Sequence, residues 1–281
     1  MKRAVVLGTF DGLHSGHRAV IGQAEGYEII AVTFEIPPKA VAGDKARLLM
    51  TPERRYEALR SLGVSQVVPL KFEEVRDMPP EEFLELLMGR YKPSLIACGF
   101  NYRFGRGAVG DAERLSRYCA QNGIVFKCCD AVLKDGNAIS SSVLREKLLD
   151  GDIRGVNAEV YGGFSFKAPV ITGDRRGRTL GFPTINQKYP DVLAPIKHGV
   201  YAVKVRFDGK TFDGISNIGH RPTFETTEVF SETYIKDFSG DLYGCAVEIF
   251  PQRFLREERR FSSKEELKRA ISADVASISE N

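Results

Sequence analysis

The chain has 281 residues, 43% of them hydrophobic, a size that fits two ordinary domains with packed cores better than one. Its 40 basic residues nearly balance 37 acidic ones, and the net charge of +3 excludes a strong field for steering toward nucleic acid or an anionic membrane. No apolar run is long enough to cross a bilayer and Met1-Lys2-Arg3 runs directly into a strand, so we expect a cytoplasmic protein without membrane or nucleic-acid partners.

The first half of the chain alternates short apolar strands with helices. Ala4 to Leu7 reads as a strand that leads through a glycine-bearing turn into a helix expected over Leu13 to Ala24. Thr51-Pro52-Glu53 has the hydroxyl, the proline and the early acid of a helix start. This alternation predicts a Rossmann-like parallel sheet with helices on both faces. The other predicted strands are Glu28 to Phe34, Val64 to Leu70, Ser94 to Cys98 and Ile124 to Cys128, and the other predicted helices are Pro79 to Arg90, Asp111 to Asn122 and Ser142 to Asp150, the last capped by serine.

The second half has a different pattern, because from about residue 163 the helical periods disappear and short strands follow one another. Gly199 to Phe207 alternates like a half-buried antiparallel strand and is followed by a turn at Asp208-Gly209. The chain ends with a serine-capped helix from Lys264 to about Ile278. We therefore predict a small antiparallel β-barrel with a C-terminal helix, and domains at 1–158 and 159–281. The other predicted strands are Ser165 to Ile171, Phe212 to Ser216, Glu228 to Tyr234 and Ala246 to Phe250.

The stretch from Gly8 to His17 carries the first candidate site. A strand, a glycine-bearing turn and a helix start in this order point backbone N–H groups at a phosphate. On a helix, His14 and His17 would lie on one face at the positive end of the macrodipole. Gly8 lets the backbone approach a phosphate, and Asp11 can hold the turn through an Asx-type bond. Half of a metal site and two ordinary surface histidines are the alternatives.

Two further stretches follow predicted strands, Gly99 to Gly105 and Ile139 to Arg145. The first combines a strand end with glycine, basic and aromatic residues, and the second places three hydroxyls and an arginine around a helix start, which suits phosphate. Taken alone, such stretches are more often a plain loop and an ordinary serine cap. Because ligands bind outside the carboxyl ends of parallel strands, we expect both stretches to converge with Gly8 to His17 on one pocket.

Gly177 to Asn186 carries the second candidate site. Thr184 and Asn186 point to the same side of an extended strand, and their hydroxyl and amide oxygens suit Mg²⁺ beside a nucleotide phosphate. The alternative is a Gly/Pro turn with polar strand residues. The chain has no G-x-x-x-x-G-K-[ST] string, so the turn from Thr172 to Arg178 is expected to hold the ATP phosphates with its N–H groups and arginines.

The Gly8 to His17 string resembles the signature of the nucleotidylyltransferase superfamily, whose H-x-G-H histidines bind a nucleoside triphosphate. Together with the two further stretches, it resembles the branch of prokaryotic bifunctional riboflavin kinase and FMN adenylyltransferase, or FAD synthetase. The resemblance implies attack of a substrate phosphate on the α-phosphorus of ATP, with pyrophosphate leaving. The chain departs from the family at Pro37, where a histidine is usual. The implied catalytic residues are His14 and His17, and the implied ATP and phosphate ligands are Gly8, Phe10, Asp11, Asn101, Ser140, Ser142 and Arg145.

The Gly177 to Asn186 string resembles the G-R-x-L-G-F-P-T-A-N signature of riboflavin kinase, and Gly199-Val200-Tyr201, Ser216 to Thr223 and Glu232 to Gly244 match further family strings in order. The resemblance implies that Glu232 is the catalytic base. Ala168-Pro169 stands where the family usually has a glycine. The residues assigned to ATP and flavin in this domain are Gly173, Arg178, Gly181, Pro183, Asn217 and Arg221, with Thr184 and Asn186 assigned to Mg²⁺.

These patterns predict a two-domain enzyme that phosphorylates riboflavin to FMN in the β-rich domain and adenylylates FMN to FAD in the α/β domain, both with Mg-ATP. A riboflavin kinase without adenylyl transfer is the alternative, and a flavin-binding regulatory module is the non-enzyme alternative. We expect only small-molecule partners and a monomer or weak homo-oligomer. The five cysteines are odd in number and lack zinc spacing, so we expect reduced, buried fillers.

Overall fold

The computed structural model describes residues 2–37, 47–134, 136–173, 177, 180–220 and 228–278. Two compact units make up the chain: Met1–Leu144 with Glu159–Tyr161, and Arg145–Ala158 with Gly162–Asn281. The predicted domains, 1–158 and 159–281, divide the chain differently over residues 145–161, and this functional boundary stays a prediction.

The first unit contains a five-stranded parallel sheet with the order β3-β2-β1-β4-β5. All four residues from Ala4 to Leu7 of the central strand β1 are buried. Because successive side chains of a strand point to opposite faces, both faces of the sheet are covered. This arrangement confirms the predicted Rossmann-like α/β fold. The strands are β1 Arg3–Leu7, β2 Glu28–Phe34, β3 Val64–Leu70, β4 Leu95–Gly99 and β5 Val125–Cys129.

Four helix starts differ from the prediction: the helices expected from Pro79 and Asp111 begin one residue later, at Pro80 and Ala112, and two other starts differ for a visible reason. The helix α1 begins at Ser15 and not at Leu13, because Leu13 has a φ of +44° that no right-handed helix contains. The helix α6 begins at Ser141 and not at Ser142, and the Ser140 hydroxyl accepts the Val143 N–H at 3.3 Å, so Ser140 is the serine that caps it. The helices up to residue 159 are α1 Ser15–Gly22, α2 Pro52–Ser61, α3 Phe72–Val75, α4 Pro80–Tyr91, α5 Ala112–Gln121, α6 Ser141–Asp150 and α7 Ile153–Glu159.

Four elements of the first half have no counterpart in the sequence-based prediction: the helix α7, the one-turn helix α3, a 3₁₀ turn at Arg106–Ala108 and a hairpin of β6 Leu133–Lys134 and β7 Asn137–Ala138. The helix α7 has seven residues, and the segments of the other three have only two to four residues each, too few for a periodic pattern. The hairpin lies outside the parallel sheet, so Ser140 does not follow a strand of that sheet as we expected.

The second unit is a six-stranded antiparallel barrel with the order β8-β13-β10-β11-β12-β9. An isolated bridge nearly closes it, with the Ile171 N–H donating to the Asn186 carbonyl at 2.8 Å. The predicted barrel and terminal helix are thereby confirmed, although β11 and β13 are longer than predicted. The elements are β8 Phe166–Pro169, β9 Thr184–Lys188, β10 Gly199–Phe207, β11 Lys210–His220, β12 Val229–Ile235, β13 Ala246–Arg256 and the helix α8 Lys264–Ala276.

The side chain of Gln187 supports this closure. It is fully buried, and its Nε2 donates to the carbonyls of Ala168 at 2.6 Å and Val247 at 2.9 Å. The strands β9 and β8 are the two ends of the sheet order. The Gln187 side chain therefore connects one end, β9, to the other end, β8, and to its neighbour β13.

All five cysteines are free, and Cys98, Cys119 and Cys129 are buried as expected. The expectation is wrong for Cys128 and Cys245, which are exposed. Cys128 belongs to β5, the edge strand of the sheet, and Cys245 lies just before β13.

Replacing Gln187 with leucine should lower the free energy of unfolding of the barrel by about 2 to 3 kcal/mol, because two buried carbonyls lose their donor. Urea unfolding followed through NMR signals of barrel amides measures the change. Gln252→Leu, an exposed glutamine of β13, is the matched control and should change stability by less than about 0.5 kcal/mol. Equal stability of the two variants would contradict the prediction.

Candidate active sites

The turn after β1 packs an aromatic ring against the predicted histidine site. Left-handed φ angles occur at Phe10 (+52°), Gly12 (+80°) and Leu13 (+44°). A β-carbon on Gly8 would lie 3.1 Å from the buried Phe10 ring, so any side chain there would press on this ring. The ring meets the His17 imidazole edge-on, with centroids 5.5 Å apart. Phe10 is therefore a wall of the histidine site.

His14 and His17 stack on each other at the start of α1. Their ring centroids are 3.8 Å apart and the planes differ by 27°. A β-carbon on Gly16 would lie 3.2 Å from the His14 ring, so a larger residue there would press on the pair. In the described part of the chain, neither Nδ1 atom has a hydrogen-bond partner although both are buried. Buried polar atoms normally have a hydrogen-bond partner, so these two can accept one that the described residues do not supply.

Both imidazoles are neutral in the free protein at pH 7. Burial lowers the pKa of His14 to about 4, where Glu159 opposes and Arg18 reinforces the shift. Burial also lowers the pKa of His17 well below its usual value, and the neighbouring His14, Arg55 and Arg18 lower it further. An anion in the site would oppose these effects, since a nearby negative charge favours the imidazolium.

Asp11 is buried and connects the turn after β1 to the segment before α2. Its carboxylate accepts the N–H groups of Leu49 at 3.0 and 3.1 Å and of Met50 at 3.2 Å. Ser141 donates its hydroxyl to the Asp11 carbonyl at 2.9 Å, which brings the start of α6 to the turn. The Asp11 carboxylate thus holds the segment before α2, and its assignment as an ATP ligand stays a prediction.

Glu159 holds the other end of the turn. Its carboxylate accepts the Ser15 hydroxyl at 2.8 Å and pairs with Lys134 at 3.1 Å. Arg18 donates to the carbonyls of Leu13 at 2.9 Å and Glu159 at 3.0 Å. These contacts fix the first turn of α1, where the histidines lie.

The other predicted residues of this site fall into two groups. Gly8 and Asn101 follow β1 and β4, which are neighbours in the sheet, and the strand order reverses between them. Ligands of open parallel sheets bind at this switch point. Ser140 and Ser142 lie at the start of α6, and Ser142 is exposed. Arg145 is grouped with the second unit, so its role beside the histidines stays a prediction.

The second unit has a cavity of about 540 Å³ on the outer side of the β9-β12-β11 wall. Pairing places Asn186, Glu232 and Asn217 side by side on these three neighbouring strands. All three line the cavity, as does Thr184, two residues from Asn186 on β9. The strand thus presents the two predicted Mg²⁺ ligands on one face. Apolar lining comes from Leu180, Phe182, Val200, Ile215, Phe230, Tyr234, Leu267 and Ile271.

Hydroxyl groups inside the barrel support this wall. Ser216, Ser231 and Thr233 are fully buried and bond to one another at 2.8 to 3.0 Å. Because side chains alternate along β12, Ser231 and Thr233 point inward and Glu232 points into the cavity. The hydroxyl cluster joins β11 to β12 directly beneath Glu232.

The segment after β13 covers the cavity from the other side. Asn217 donates to the Glu258 carboxylate at 2.9 Å, while its own Oδ1 is buried and lacks a partner among the residues described. Arg256 forms a double contact with Asp274 of α8, at 2.9 to 3.2 Å, and lies over the Phe261 ring. The Arg256–Asp274 pair therefore fastens α8 over the cavity.

The remaining predicted residues of this unit lie around the Gly177 turn. Gly173 lies against the Asn186 carboxamide, since a β-carbon on it would come within 2.4 Å of that group. Gly181 has a φ of +86°, and both Gly181 and Pro183 are exposed and contribute nothing to the described cavity lining. Arg178 and Arg221 lie outside the described residues.

Sequence reasoning missed several residues that shape these sites. Arg55 had a usable signal, because it falls on the same helix face as Ala58 and Leu59, where a charged residue is unusual. Glu159, Arg256, Glu258 and Asp274 had no such signal, since their contacts join positions far apart in the sequence.

Family models match both halves of the chain. The riboflavin kinase model matches residues 162–281, and the FAD synthetase model matches residues 1–143. The chain is 32% identical to the bifunctional riboflavin kinase/FMN adenylyltransferase of Listeria monocytogenes, over 98% of this chain and 90% of that protein. It is also 32% identical to the protein of the same name from Escherichia coli K12, over 96% and 90% of the two chains.

A solved structure from Streptococcus pneumoniae, described as a macrolide-efflux protein, has the same fold. It is 27% identical, with a TM-score of 0.91 over 100% of this chain and 94% of that chain. Among the described residues, no helix combines the length and the apolar character that a membrane span requires.

The histidine pair should make the first unit sensitive to acid. Unfolded histidine titrates near 6.5 and folded His14 near 4, so below pH 6.5 the unfolded state takes up protons that the folded state excludes. Stability should therefore fall between pH 6.5 and 4, by about 3 kcal/mol for His14 alone. Urea unfolding followed through first-unit amides measures the loss, and His14→Gln should reduce it. An equal loss in parent and variant would contradict the prediction.

Proposed function

The chain belongs to the bifunctional riboflavin kinase/FMN adenylyltransferase family and makes FMN from riboflavin and FAD from FMN, and we propose that the barrel cavity performs the first reaction and the histidine turn the second. The single observation that carries the proposal is the pair of stacked, buried imidazoles whose Nδ1 atoms lack partners in the described chain. The kinase-only alternative gains no support, because the FAD synthetase model covers the whole histidine turn.

In adenylyl transfer, a phosphate oxygen of FMN attacks the α-phosphorus of ATP and pyrophosphate leaves. Such a loose transition state needs positioning and positive charge more than covalent chemistry. The neutral His14 and His17 would donate hydrogen bonds to the triphosphate and become more basic as its negative charge arrives. Gly8 and the start of α1 would offer backbone N–H groups, and Asn101, Ser140, Ser142 and Arg145 would complete the ligand set.

In the kinase reaction, the terminal ribityl hydroxyl of riboflavin attacks the γ-phosphorus of ATP and ADP leaves. Glu232 projects into the cavity and would orient this hydroxyl and accept its proton late in the transfer. Its position between Asn186 and Asn217 is set by the strand register, not by a flexible loop. The apolar lining of the cavity suits the flat isoalloxazine ring.

The residues of the cavity fit a magnesium ion that accompanies ATP. Thr184 and Asn186 offer a hydroxyl and an amide oxygen on one face of β9, the hard ligands that Mg²⁺ prefers. Because residue 173 is glycine, no side chain at this position pushes the Asn186 carboxamide aside. The bound ion would neutralise phosphate charge, while Asn217 would shape the surrounding nucleotide site.

The enzyme would work in the cytoplasm, because both reactions consume ATP and all five thiols are free. Each candidate site is built from residues of one chain, so a monomer or a weak homo-oligomer is sufficient. Only ATP and the flavins are needed as partners.

Two substitutions should separate the reactions. Glu232→Gln should lower FMN formation by at least about a hundredfold while leaving FAD formation from supplied FMN unchanged, because proton acceptance is lost only in the barrel. His17→Gln should have the opposite pattern. The measurement is chromatographic separation of flavins after incubation with Mg-ATP and either riboflavin or FMN. Loss of both activities in either variant, or of neither, would contradict the assignment.

ATP should convert at least one of the two histidines to imidazolium. The triphosphate charge favours the cation, so the low pKa of His14 or His17 should rise on binding. NMR titration of histidine-labelled protein, with and without ATP, measures both values, and the chain has only four histidines to assign. An ATP complex in which both pKa values remain low would disprove the prediction.

A further inference from the structure

Arg55 of α2 is a fully buried cation at the ligand edge of the first sheet, with an exposure of 0%. Its guanidinium donates to three carbonyl oxygens: Thr9 at 3.2 Å, Phe34 at 2.6 Å and Glu35 at 2.9 Å. Thr9 belongs to the turn after β1, and Phe34 and Glu35 end β2 and begin the next segment. One side chain therefore ties together the two chain segments that leave neighbouring strands.

The Thr9 carbonyl is held from two sides. Thr33 of β2 donates its hydroxyl to the same oxygen at 3.0 Å, in addition to the Arg55 bond. Thr9 precedes Phe10, whose left-handed backbone places its ring against His17. A shift of the Thr9 carbonyl would therefore move Phe10 and the imidazole that it contacts.

The charge of Arg55 is uncancelled within the described chain, because no carboxylate lies within ion-pair distance of it and its buried Nε has no partner. Burying an unpaired charge is costly, and a neutral amide could bond to the same carbonyls without that cost. A cation buried beside an anion site does what a neutral donor cannot: it opposes the negative charge of bound phosphates in a medium of low dielectric constant.

We propose that Arg55 is a positioning residue for adenylyl transfer, which fixes the histidine turn against the segment after β2 and supplies buried positive charge behind it. The proposal rests on the assignment of adenylyl transfer to His14 and His17. Arg55 would act through the turn and through its field, without touching ATP. The segment that it holds contains Pro37, where the family usually has a histidine, so in this chain Arg55 orders that segment by its backbone carbonyls.

The charge of Arg55 also affects the titration of the histidine pair. His17 is faced by His14 and Arg18 from the start of α1 and by Arg55 from α2, and Glu159 faces His14. Arg55, Arg18 and His14 lower the pKa of His17. Removal of the guanidinium should therefore raise the pKa of His17 in the free enzyme, an effect that loss of a purely structural bond would not produce.

The test compares Arg55→Met, Arg55→Gln and Arg55→Lys with Arg60→Met, an exposed arginine of the same helix. FAD formation from FMN and Mg-ATP is measured between pH 5.5 and 8.5, and FMN formation from riboflavin in the same preparations reports on the barrel. The Met and Gln variants should lose about a hundredfold in kcat for FAD formation, with a raised pKa of His17 by NMR and unchanged FMN formation. Lysine should restore part of the rate, and Arg60→Met should match the parent.

A folded Met or Gln variant that keeps kcat within twofold of the parent would overturn the proposal. It would also fall if the Met and Gln variants fold and lose FAD formation while the pKa of His17 stays at the parent value, because the role would then be purely structural. Failure of the underlying assignment is distinguishable, since it appears as FAD formation by His17→Gln, whatever the Arg55 variants do.

Discussion

The first unit depends on buried polar side chains that bond to backbone rather than to each other. The carboxylate of Asp11 accepts two amides of the segment before α2, and Arg55 and Thr33 share the Thr9 carbonyl. A turn with several left-handed residues is strained on its own, so such bonds must hold it. The stacked imidazoles, their low pKa values and their open Nδ1 atoms all follow from this support.

The second unit positions its candidate site residues through the pairing of its strands. Strand register places Asn186, Glu232 and Asn217 in a row, and alternation along β12 sends Glu232 outward while Ser231 and Thr233 turn inward. The Glu232 carboxylate is therefore positioned by the barrel's own hydrogen bonding. In the first unit, burial keeps the two imidazoles neutral, whereas the barrel wall presents hydroxyl and amide oxygens of the kind that suit a hard cation.

Much of the framework could be predicted because its signals are local. The buried run Ala4 to Leu7 and the alternation of Gly199 to Phe207 each specify an element without reference to the rest of the chain. The start of α1 could not be predicted in this way. Leu13 has an apolar side chain that suits a helix, but contacts of the turn force its backbone into a left-handed conformation.

The sequence by itself determined the family and the two fold types, and it singled out His14, His17 and Glu232 as candidate catalytic residues, because motifs are contiguous in the chain. Only the tertiary structure decided what surrounds them. Arg55 reaches Thr9 across 46 positions, Ser15 reaches Glu159 across 144, and Asn217 meets Glu258 across 41. No local pattern encodes such contacts, because each arises from the packing of elements that are distant in sequence, and that packing sets both the burial and the charge of the sites.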